Sequence, residues 1–394
     1  MNKPILVAFI FLCFFLTVTQ PAFAQDTTLA DGLLEKLQAI PGMQVGETKV
    51  DLMFSQPVDH NNPDAGTFKQ QIHLIHKDYQ KPVVLWLEGY ESRGNSEQEL
   101  TKLLDANQII VEHRYFGKSL PKSIHWQYLT IKQAAADDHR IVQAFKDIYP
   151  GKWVNSGISK GGQTTMYHRR FYPDDVDASV CYVGPLNFSD KDPRIYNFLE
   201  SVGDSRLDSA GQASCRQRIL NFQRTVLKKK EDLLPMFKEY IKQKGYTYAM
   251  GADSAFEYTV LEYSFSFWQW HKFDCSEIPG SGSGDSVLID HLMKGSDPYF
   301  ISDQGIKKYR PFFYQALTQE GFYGYDPKPF SGLLEKVIDP DFRMTLPDSV
   351  HAVFDPKPMQ DVNAWINKSG NNMIFIYGEI DPWSASAVQL SGET

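Results

Sequence analysis

The sequence predicts an α/β fold in which a mostly parallel β-sheet is covered by helices. Short apolar and β-branched runs alternate with stretches of helical period, a pattern typical of parallel strands joined by crossover helices. A glycine-rich turn around Ser159 separates one such strand from its helix. A long helical and aromatic stretch then precedes the last strand, which indicates an insertion between two strands of one sheet.

The individual elements follow from this alternation. Strands are predicted at residues 71–76, 83–87, 109–111, 153–158, 178–183 and 373–377, and helices at 131–149 and 161–171. Within the insertion, residues 216–243 have helical period, and we expect a break or kink at Pro235.

These patterns divide the chain into four segments. We predict a signal peptide at 1–24, a first part of the core at 25–186, a helical cap at 187–355, and a second part of the core at 356–394 that is incomplete at its C-terminal end.

Composition excludes some classes of partner. The chain has 394 residues, of which 42% are hydrophobic, so a sizeable core is available. The formal net charge is −8 and basic residues are not clustered, which argues against nucleic acid as a partner.

The N-terminus has the features of an export signal. Lys3 supplies a positive charge, residues 5–18 are apolar, and Ala22-Phe23-Ala24 forms a cleavage site. The alternative is a membrane anchor, but the apolar run is short for a bilayer span. We therefore expect cleavage after Ala24 and a secreted or periplasmic protein with no membrane segment.

Export affects how the cysteines are interpreted. Cys181 lies in an apolar run and is expected to be a buried thiol, whereas Cys215 and Cys275 lie in polar surroundings and are candidates for a disulfide. Their spacing does not suggest a metal site.

The chemistry is indicated by a G-x-S-x-G motif, Gly157-Ile158-Ser159-Lys160-Gly161. It follows a predicted strand and opens a predicted helix, as the nucleophile elbow of α/β-hydrolases requires. Small residues are needed beside the serine because a Cβ there would clash with the neighbouring strand and helix. We predict Ser159 as the nucleophile; the alternative is a glycine-rich turn with an incidental serine.

The catalytic acid is predicted to be Asp381. It lies just after the last predicted strand, at the edge of the sheet where Ser159 is expected. Glu379 is the weaker alternative, and Asp381 is alternatively a turn residue before Pro382.

The base of the triad has no candidate in the required chain order. The last histidine is His351, and none follows Asp381. We expect the catalytic histidine to lie beyond Thr394, in a longer protein; the alternative is a natural pseudoenzyme.

An oxyanion hole is expected from two backbone N–H groups. One is that of Lys160, which follows the nucleophile, and the other belongs to the loop after strand 83–87, at Gly89 or Tyr90. The alternative for this loop is an ordinary exit from a strand.

Three stretches together resemble one known family. They are VEHRYFGKSLP at 111–121, the elbow at 159–162, and residues 378–383. They are similar to the PS-ten peptidases, serine peptidase family thirty-seven, and the stretches at 56–60 and 112–121 are also similar to the related Pro-X carboxypeptidase and dipeptidyl peptidase II family. The resemblance extends from about Ser55 to Trp383.

The resemblance implies an α/β-hydrolase core with a helical cap and the removal of short peptides, often tripeptides, from N-termini. Ser159 and Asp381 match the family's nucleophile and acid, while the family's histidine has no matching position. Peptides are the implied substrates, and no metal or organic cofactor is expected because acyl transfer through an acyl-enzyme needs none.

An exopeptidase must also recognise a chain terminus. Aromatic rings in the cap and near the acid are candidates for a proline pocket: Phe267, Trp268, Trp270 and Trp383. A buried carboxylate would pair with the substrate α-ammonium, and the candidates are Glu88, Glu262 and Glu320. Each ring is alternatively part of the cap core, and each acid is alternatively solvated or locally paired.

Two other functions remain open. An esterase or lipase would share the elbow, although a lipase would favour a more apolar lid than this charged cap. A non-catalytic exported binding protein would keep the pocket without the reaction.

Overall fold

The computed structural model describes residues 32–46, 51–203 and 214–392. The predicted signal peptide at 1–24 lies outside the described residues.

The described residues form a mixed sheet of eight strands in the order β1-β2-β3-β5-β4-β6-β7-β8. Strands β1 to β3 are antiparallel to their neighbours, while β5, β4, β6, β7 and β8 run parallel. The bounds are β1 Met43–Val45, β2 Asp51–Pro57, β3 Thr67–Ile75, β4 Val83–Leu87, β5 Asn107–Val111, β6 Trp153–Ile158, β7 Ala178–Tyr182 and β8 Met373–Ile376. This sheet confirms the predicted α/β class.

The helices cover the sheet and fill the insertion. Their bounds are α1 Leu33–Ala39, α2 Glu99–Leu103, α3 Ile131–Lys146, α4 Lys160–Phe171, α5 Pro193–Ser201, α6 Cys215–Lys228, α7 Lys230–Lys244, α8 Ala252–Trp270, α9 Asp285–Gly295, α10 Asp303–Gln315 and α11 Lys357–Ser369. Helices α5 to α11 therefore lie between β7 and β8 in the chain. The helix predicted at 131–149 ends early because Ile148 and Tyr149 donate back to the Phe145 carbonyl in a tight turn.

Apolar side chains bury the sheet and the insertion in separate clusters. One cluster joins α1 and α3 to the strands, for example Leu37, Phe145 and Leu85. Another joins α4 and α11 to β7, and the largest lies among helices α5 to α10 and is rich in rings. Near the β8 edge one face of the sheet is exposed: Ile374 is 58% exposed and Ile158 is 53% exposed.

The expected break at Pro235 is wrong in its position. Helices α6 and α7 meet at Lys229, whose φ of −97° and ψ of 19° leave helical geometry, and Pro235 lies inside α7. The break turns Lys230 inward, where its Nζ lies 2.6 Å from Glu257 and 2.9 Å from Glu335. Proline removes one hydrogen bond, to a carbonyl in the first turn of α7, and the helix continues through it.

The described cysteines are two in a disulfide and one thiol. Cys215 and Cys275 are disulfide-bonded, which joins α6 to the turn after α8, and Cys181 is buried in β7.

Within the described ranges, none of the helices has both the length and the apolar character that a bilayer crossing needs.

Candidate active site

The turn at Ser159 has the backbone geometry of a nucleophile elbow. β6 ends at Ile158, α4 begins at Lys160, and Ser159 between them has φ 57° and ψ −121°. A positive φ is unfavourable for a residue with a side chain, so surrounding contacts must hold the turn in place. One such contact is the Ser159 N–H, which donates to the Tyr182 carbonyl of β7 at 2.9 Å.

The flanking glycines are required by close backbone approach. A Cβ on Gly157 would lie 2.4 Å from the Gly161 carbonyl oxygen and 2.5 Å from that of Leu87. A Cβ on Gly161 would also lie 2.5 Å from the Leu87 oxygen. The elbow is therefore pressed against the end of β4, as the predicted clash requires.

The residues predicted for the oxyanion hole lie together. A Cβ on Gly89 would be 2.4 Å from the Lys160 Cβ and 2.6 Å from the Gly161 nitrogen, so the loop after β4 lies directly on the elbow. Lys160 is the first residue of α4, where a backbone N–H has no partner within its own helix. This N–H is free to bind a developing oxyanion.

Tyr90 contributes a contact that the sequence did not predict. Its hydroxyl is hydrogen-bonded with the Ser159 hydroxyl, and burial raises the pKa of Tyr90 well above its usual range. The phenol therefore keeps its proton at neutral pH and can donate it to an oxygen beside Ser159. The sequence suggested only the backbone of this residue.

Asp381 lies at the same edge of the sheet as Ser159. β6, β7 and β8 are parallel neighbours, so the loops after β6 and β8 leave from the same edge. The Asp381 carboxylate accepts the Trp383 N–H at 3.0 Å, and burial raises its pKa. This backbone bond also fits the alternative role of Asp381 as a turn residue.

No histidine of the described residues is hydrogen-bonded to Ser159 or Asp381. His113 contacts the elbow through Lys160: its Nδ1 bonds the Arg114 carbonyl, and its Nε2 lies 3.3 Å from Lys160 Nζ. His139 and His168 instead share the Asp175 carboxylate. The base of the predicted triad thus has no counterpart among the described histidines.

The residues of the EHRYFGKS stretch organise the wall beside the elbow. The Glu112 carboxylate accepts the backbone N–H groups of Ser92, Lys118 and Ser119, and the Ser119 hydroxyl at 2.8 Å. Gly117 packs directly on this carboxylate, where a Cβ would not fit. The motif therefore folds two loops around one buried acid.

Arg114 fixes the other side of the same stretch. It makes two hydrogen bonds to Asp137 of α3, at 2.6 and 2.8 Å, and its remaining N–H groups donate to backbone carbonyls. Both side chains are almost fully buried. This paired charge ties β5 to α3 and so supports the sheet edge that carries the elbow.

The Lys160 side chain forms a buried charge pair with Glu320. Nζ lies 3.2 Å from Glu320 Oε1, and each side chain is 1% exposed. The contact is a charge pair without the alignment of a hydrogen bond, because neither carboxylate oxygen has a hydrogen-bond donor. Burial lowers the pKa of Lys160 and raises that of Glu320, and each partner opposes the other's shift.

Glu320 ends a π-helical turn at Ala316–Glu320, directly after α10. Turns of this kind are frequent at functional sites. The pair therefore joins the insertion to the residue after Ser159. The sequence had no signal for this contact, because the two residues are far apart in the chain.

The other two candidate carboxylates differ in environment. Burial raises the pKa of Glu88 to about 7, although Trp86 donates a hydrogen bond to it. Glu262 accepts hydrogen bonds from Ser266, Tyr323 and Tyr325, and burial raises its pKa as well.

The candidate aromatic residues do not share one environment. Phe267 and Trp268 are each 2% exposed and pack against one another in the ring-rich cluster, whereas Trp270 is 60% exposed at the end of α8. Trp383 packs on Phe265, with ring centroids 5.2 Å apart, and also contacts Phe322 and Tyr323.

Rings also line the side of the elbow. Tyr90 contacts Phe116, Tyr309 and Phe312, and Phe312 contacts Phe322, which in turn contacts Trp383. A continuous aromatic wall therefore leads from the Ser159 hydroxyl to the loop that carries Asp381. Of the four predicted rings, Trp383 belongs to this wall.

Comparison with known proteins identifies the family. The family model described as PS-10 peptidase S37 matches residues 28–393. A prolyl tri/tetrapeptidyl aminopeptidase of Streptomyces mobaraensis is 35% identical over 90% of this chain and 76% of its own length. A lysosomal Pro-X carboxypeptidase of Mus musculus is 24% identical over 86% of this chain and 79% of its own length.

Among solved structures, a post-proline cleaving enzyme of Rickettsia typhi matches 36% of this chain and 22% of its own with a TM-score of 0.27 and 12% identity. The family match extends across the elbow, the aromatic wall and the Asp381 loop. The chain belongs to the PS-10 peptidase S37 family and is a serine peptidase.

Proposed function

We propose that this protein is an exopeptidase that releases short peptides, of tripeptide or tetrapeptide length, from free N-termini through an acyl-enzyme on Ser159. The observation that carries the proposal is the strained elbow, which presents the Ser159 hydroxyl beside Tyr90 and the Lys160 N–H. The peptide length is that named for the Streptomyces mobaraensis relative.

The reaction assigns a role to each residue at the sheet edge. Ser159 attacks the scissile carbonyl, and the Lys160 N–H stabilises the oxyanion together with Gly89 or Tyr90 of the adjacent loop. Asp381 orients an imidazole, which has no counterpart among the described histidines.

A preference for proline before the cleaved bond agrees with the aromatic wall. A proline ring is apolar and rigid, and flat aromatic faces such as Tyr90 and Trp383 pack well against it. Phe267, Trp268 and Trp270 remain further candidates for substrate contact. The relatives named for prolyl and Pro-X substrates support this preference.

Export agrees with the disulfide. Cys215–Cys275 requires an oxidising compartment to form and persist. We therefore propose that the mature protein acts outside the cytoplasm, after cleavage at Ala24.

The function is tested with the protein expressed from its complete gene. We expect a fluorophosphonate probe to label the wild type, Ser159→Ala to abolish labelling, and the exposed Ser201→Ala to leave it unchanged. Ala-Ala-Pro-p-nitroanilide should be cleaved at least a hundredfold more efficiently than short-chain p-nitrophenyl esters.

Two results would contradict the proposal. Faster turnover of the esters would identify an esterase, and an absence of labelling would identify a non-catalytic binding protein.

A further inference from the structure

The Glu262 carboxylate of α8 is held by hydroxyl groups alone. Oε1 accepts from Ser266 Oγ at 2.6 Å, and Oε2 accepts from the Tyr323 and Tyr325 hydroxyls at 2.8 and 2.7 Å. Within the described part of the chain, no lysine, arginine or histidine pairs with it. Its partners therefore orient the carboxylate without neutralising its charge.

Three other buried carboxylates of the protein have positive partners, whereas Glu112 is held by three backbone N–H groups and a hydroxyl. Asp137 is paired with Arg114, Glu257 with Lys230, and Glu320 with Lys160. An unneutralised carboxylate in a buried setting is costly, and burial accordingly raises the pKa of Glu262. A site that keeps such a charge is suited to a ligand that brings the missing positive charge.

Two series of contacts connect this carboxylate to the catalytic residues. From Ser159, the Tyr90 ring leads through Phe312 and Phe322 to Tyr323. From Asp381, Trp383 contacts Tyr323 directly, with ring centroids 5.4 Å apart. Glu262 is therefore connected, through the Tyr323 side chain, to the aromatic wall that adjoins Ser159.

We propose that Glu262, oriented by Tyr323 and Tyr325, binds the free α-ammonium group of the peptide substrate. The inference rests on the proposed exopeptidase function and assigns its terminus-recognition site. An ionised carboxylate offers about four acceptor positions, three of which are occupied, so one remains for an ammonium N–H. The ammonium group supplies the positive charge that the hydroxyls lack.

Glu262 fits this role better than the other two candidates. Glu320 is 1% exposed and its charge is already balanced by Lys160, whereas Glu262 remains partly exposed. Glu88 has a pKa of about 7, so much of it is uncharged at neutral pH.

The test measures binding, with the protein expressed from its complete gene. The tripeptide Ala-Ala-Pro and its N-acetyl form are titrated by calorimetry at pH 7, where the α-amino group is mostly protonated. We expect the wild type to bind the free tripeptide at least tenfold more tightly, and Glu262→Gln to bind both peptides alike. Glu239→Gln, an exposed acid on α7, is the matched control and should keep the wild-type ratio.

The ratio of the two affinities decides the outcome. An unchanged ratio in Glu262→Gln, or a wild type that does not distinguish the peptides, would overturn the assignment. If Glu262→Gln does not fold, Glu262→Asp retains the charge but withdraws it by one methylene, and it must lower the ratio at least threefold.

Failure of the proposed function is separately visible. Loss of fluorophosphonate labelling in the wild type would contradict the enzyme, while discrimination of the free N-terminus would still report on Glu262. Conversely, normal labelling without discrimination would contradict the ammonium site and leave the peptidase standing.

Discussion

Ser159 is held in a backbone conformation that is unfavourable for a residue with a side chain. Its positive φ is stabilised by the Tyr182 hydrogen bond and by backbone packing on two glycines. In the proposed reaction, this turn presents the hydroxyl to the scissile carbonyl.

Gly157→Ala should therefore destabilise the protein by at least about 3 kcal/mol and remove probe labelling, because its Cβ would meet two carbonyl oxygens at 2.5 Å or less. Urea unfolding and fluorophosphonate labelling measure the two effects. Gly280→Ala is the control, since nothing lies within 4 Å of its Cβ position and a change within about 0.5 kcal/mol is expected. A stable, labelled Gly157→Ala protein would refute this account of the elbow.

Glu88 predicts a dependence of stability on pH. Its pKa is about 7 in the folded protein and 4.5 ordinarily, so the folded state holds its proton more tightly than the unfolded state. The contribution of this group to stability is therefore present below pH 4.5 and is lost as the pH rises to about 7.

Glu88→Gln should remove this loss. The free energy of unfolding of Glu88→Gln minus that of the wild type should therefore be about 2 kcal/mol larger at pH 8 than at pH 5. Urea unfolding of both proteins at the two pH values measures it, with Glu239→Gln as the exposed control. Parallel pH profiles for wild type and Glu88→Gln would show that Glu88 does not titrate in this range.

Among the structural elements, the loop after β5 depends on Glu112. The loop after β4 and the loop after β5 both direct backbone N–H groups at this carboxylate. Their shape therefore depends on a side chain at position 112 that only accepts hydrogen bonds. The loop after β5 includes Phe116, which packs on Tyr90 beside Ser159.

Glu112→Gln should reduce stability by about 2 to 4 kcal/mol, because one amide N–H would face the backbone donors. Catalytic efficiency on a tripeptide substrate should fall with it, since Tyr90 loses its support. Ser119→Ala removes one hydroxyl donor to Glu112 and also the acceptor of the Gln71 N–H, and it should cost about 1 to 3 kcal/mol. Equal stability of Glu112→Gln and wild type, measured by urea unfolding, would be inconsistent with this role.

For the molecule as a whole, the Lys160–Glu320 pair couples the inserted helices to the elbow. Both side chains are closed to solvent, so removing either one leaves a buried charge without its partner.

Lys160→Met and Glu320→Gln should each cost about 3 to 5 kcal/mol, while the double variant should cost at least about 2 kcal/mol less than their sum. Urea unfolding of all four proteins forms the cycle. Additive costs, within about 0.5 kcal/mol, would mean that the two parts of the fold are not coupled through this pair.

The gene sequence that follows the Thr394 codon tests the histidine prediction. We expect a further strand and then a histidine, because the proposed pair of Ser159 and Asp381 needs an imidazole to complete a triad. A stop codon directly after Thr394 would favour the pseudoenzyme alternative.

Local sequence patterns were sufficient for the central strands and the elbow. β4 and β6 match the predicted 83–87 and 153–158 at both ends. β4 is a short continuous apolar run, and β6 is delimited by Pro150-Gly151 before it and by the glycine-rich elbow after it. The G-x-S-x-G motif likewise reports a local steric requirement, since its glycines are adjacent to the serine that they accommodate. The break predicted at Pro235 lies instead at Lys229. Its position depends on the contacts of Lys230 with Glu257 and Glu335, which local sequence does not record.

The charge state of the site could be read only from the tertiary structure. Lys160 and Glu320, or Glu262 and Tyr325, are separated in the chain, and no periodicity records which of them will meet. The sequence indicates only that a carboxylate is present. Its pKa and its role in the site depend on the donors and cations that surround it in the folded protein, because these determine its desolvation and its charge balance.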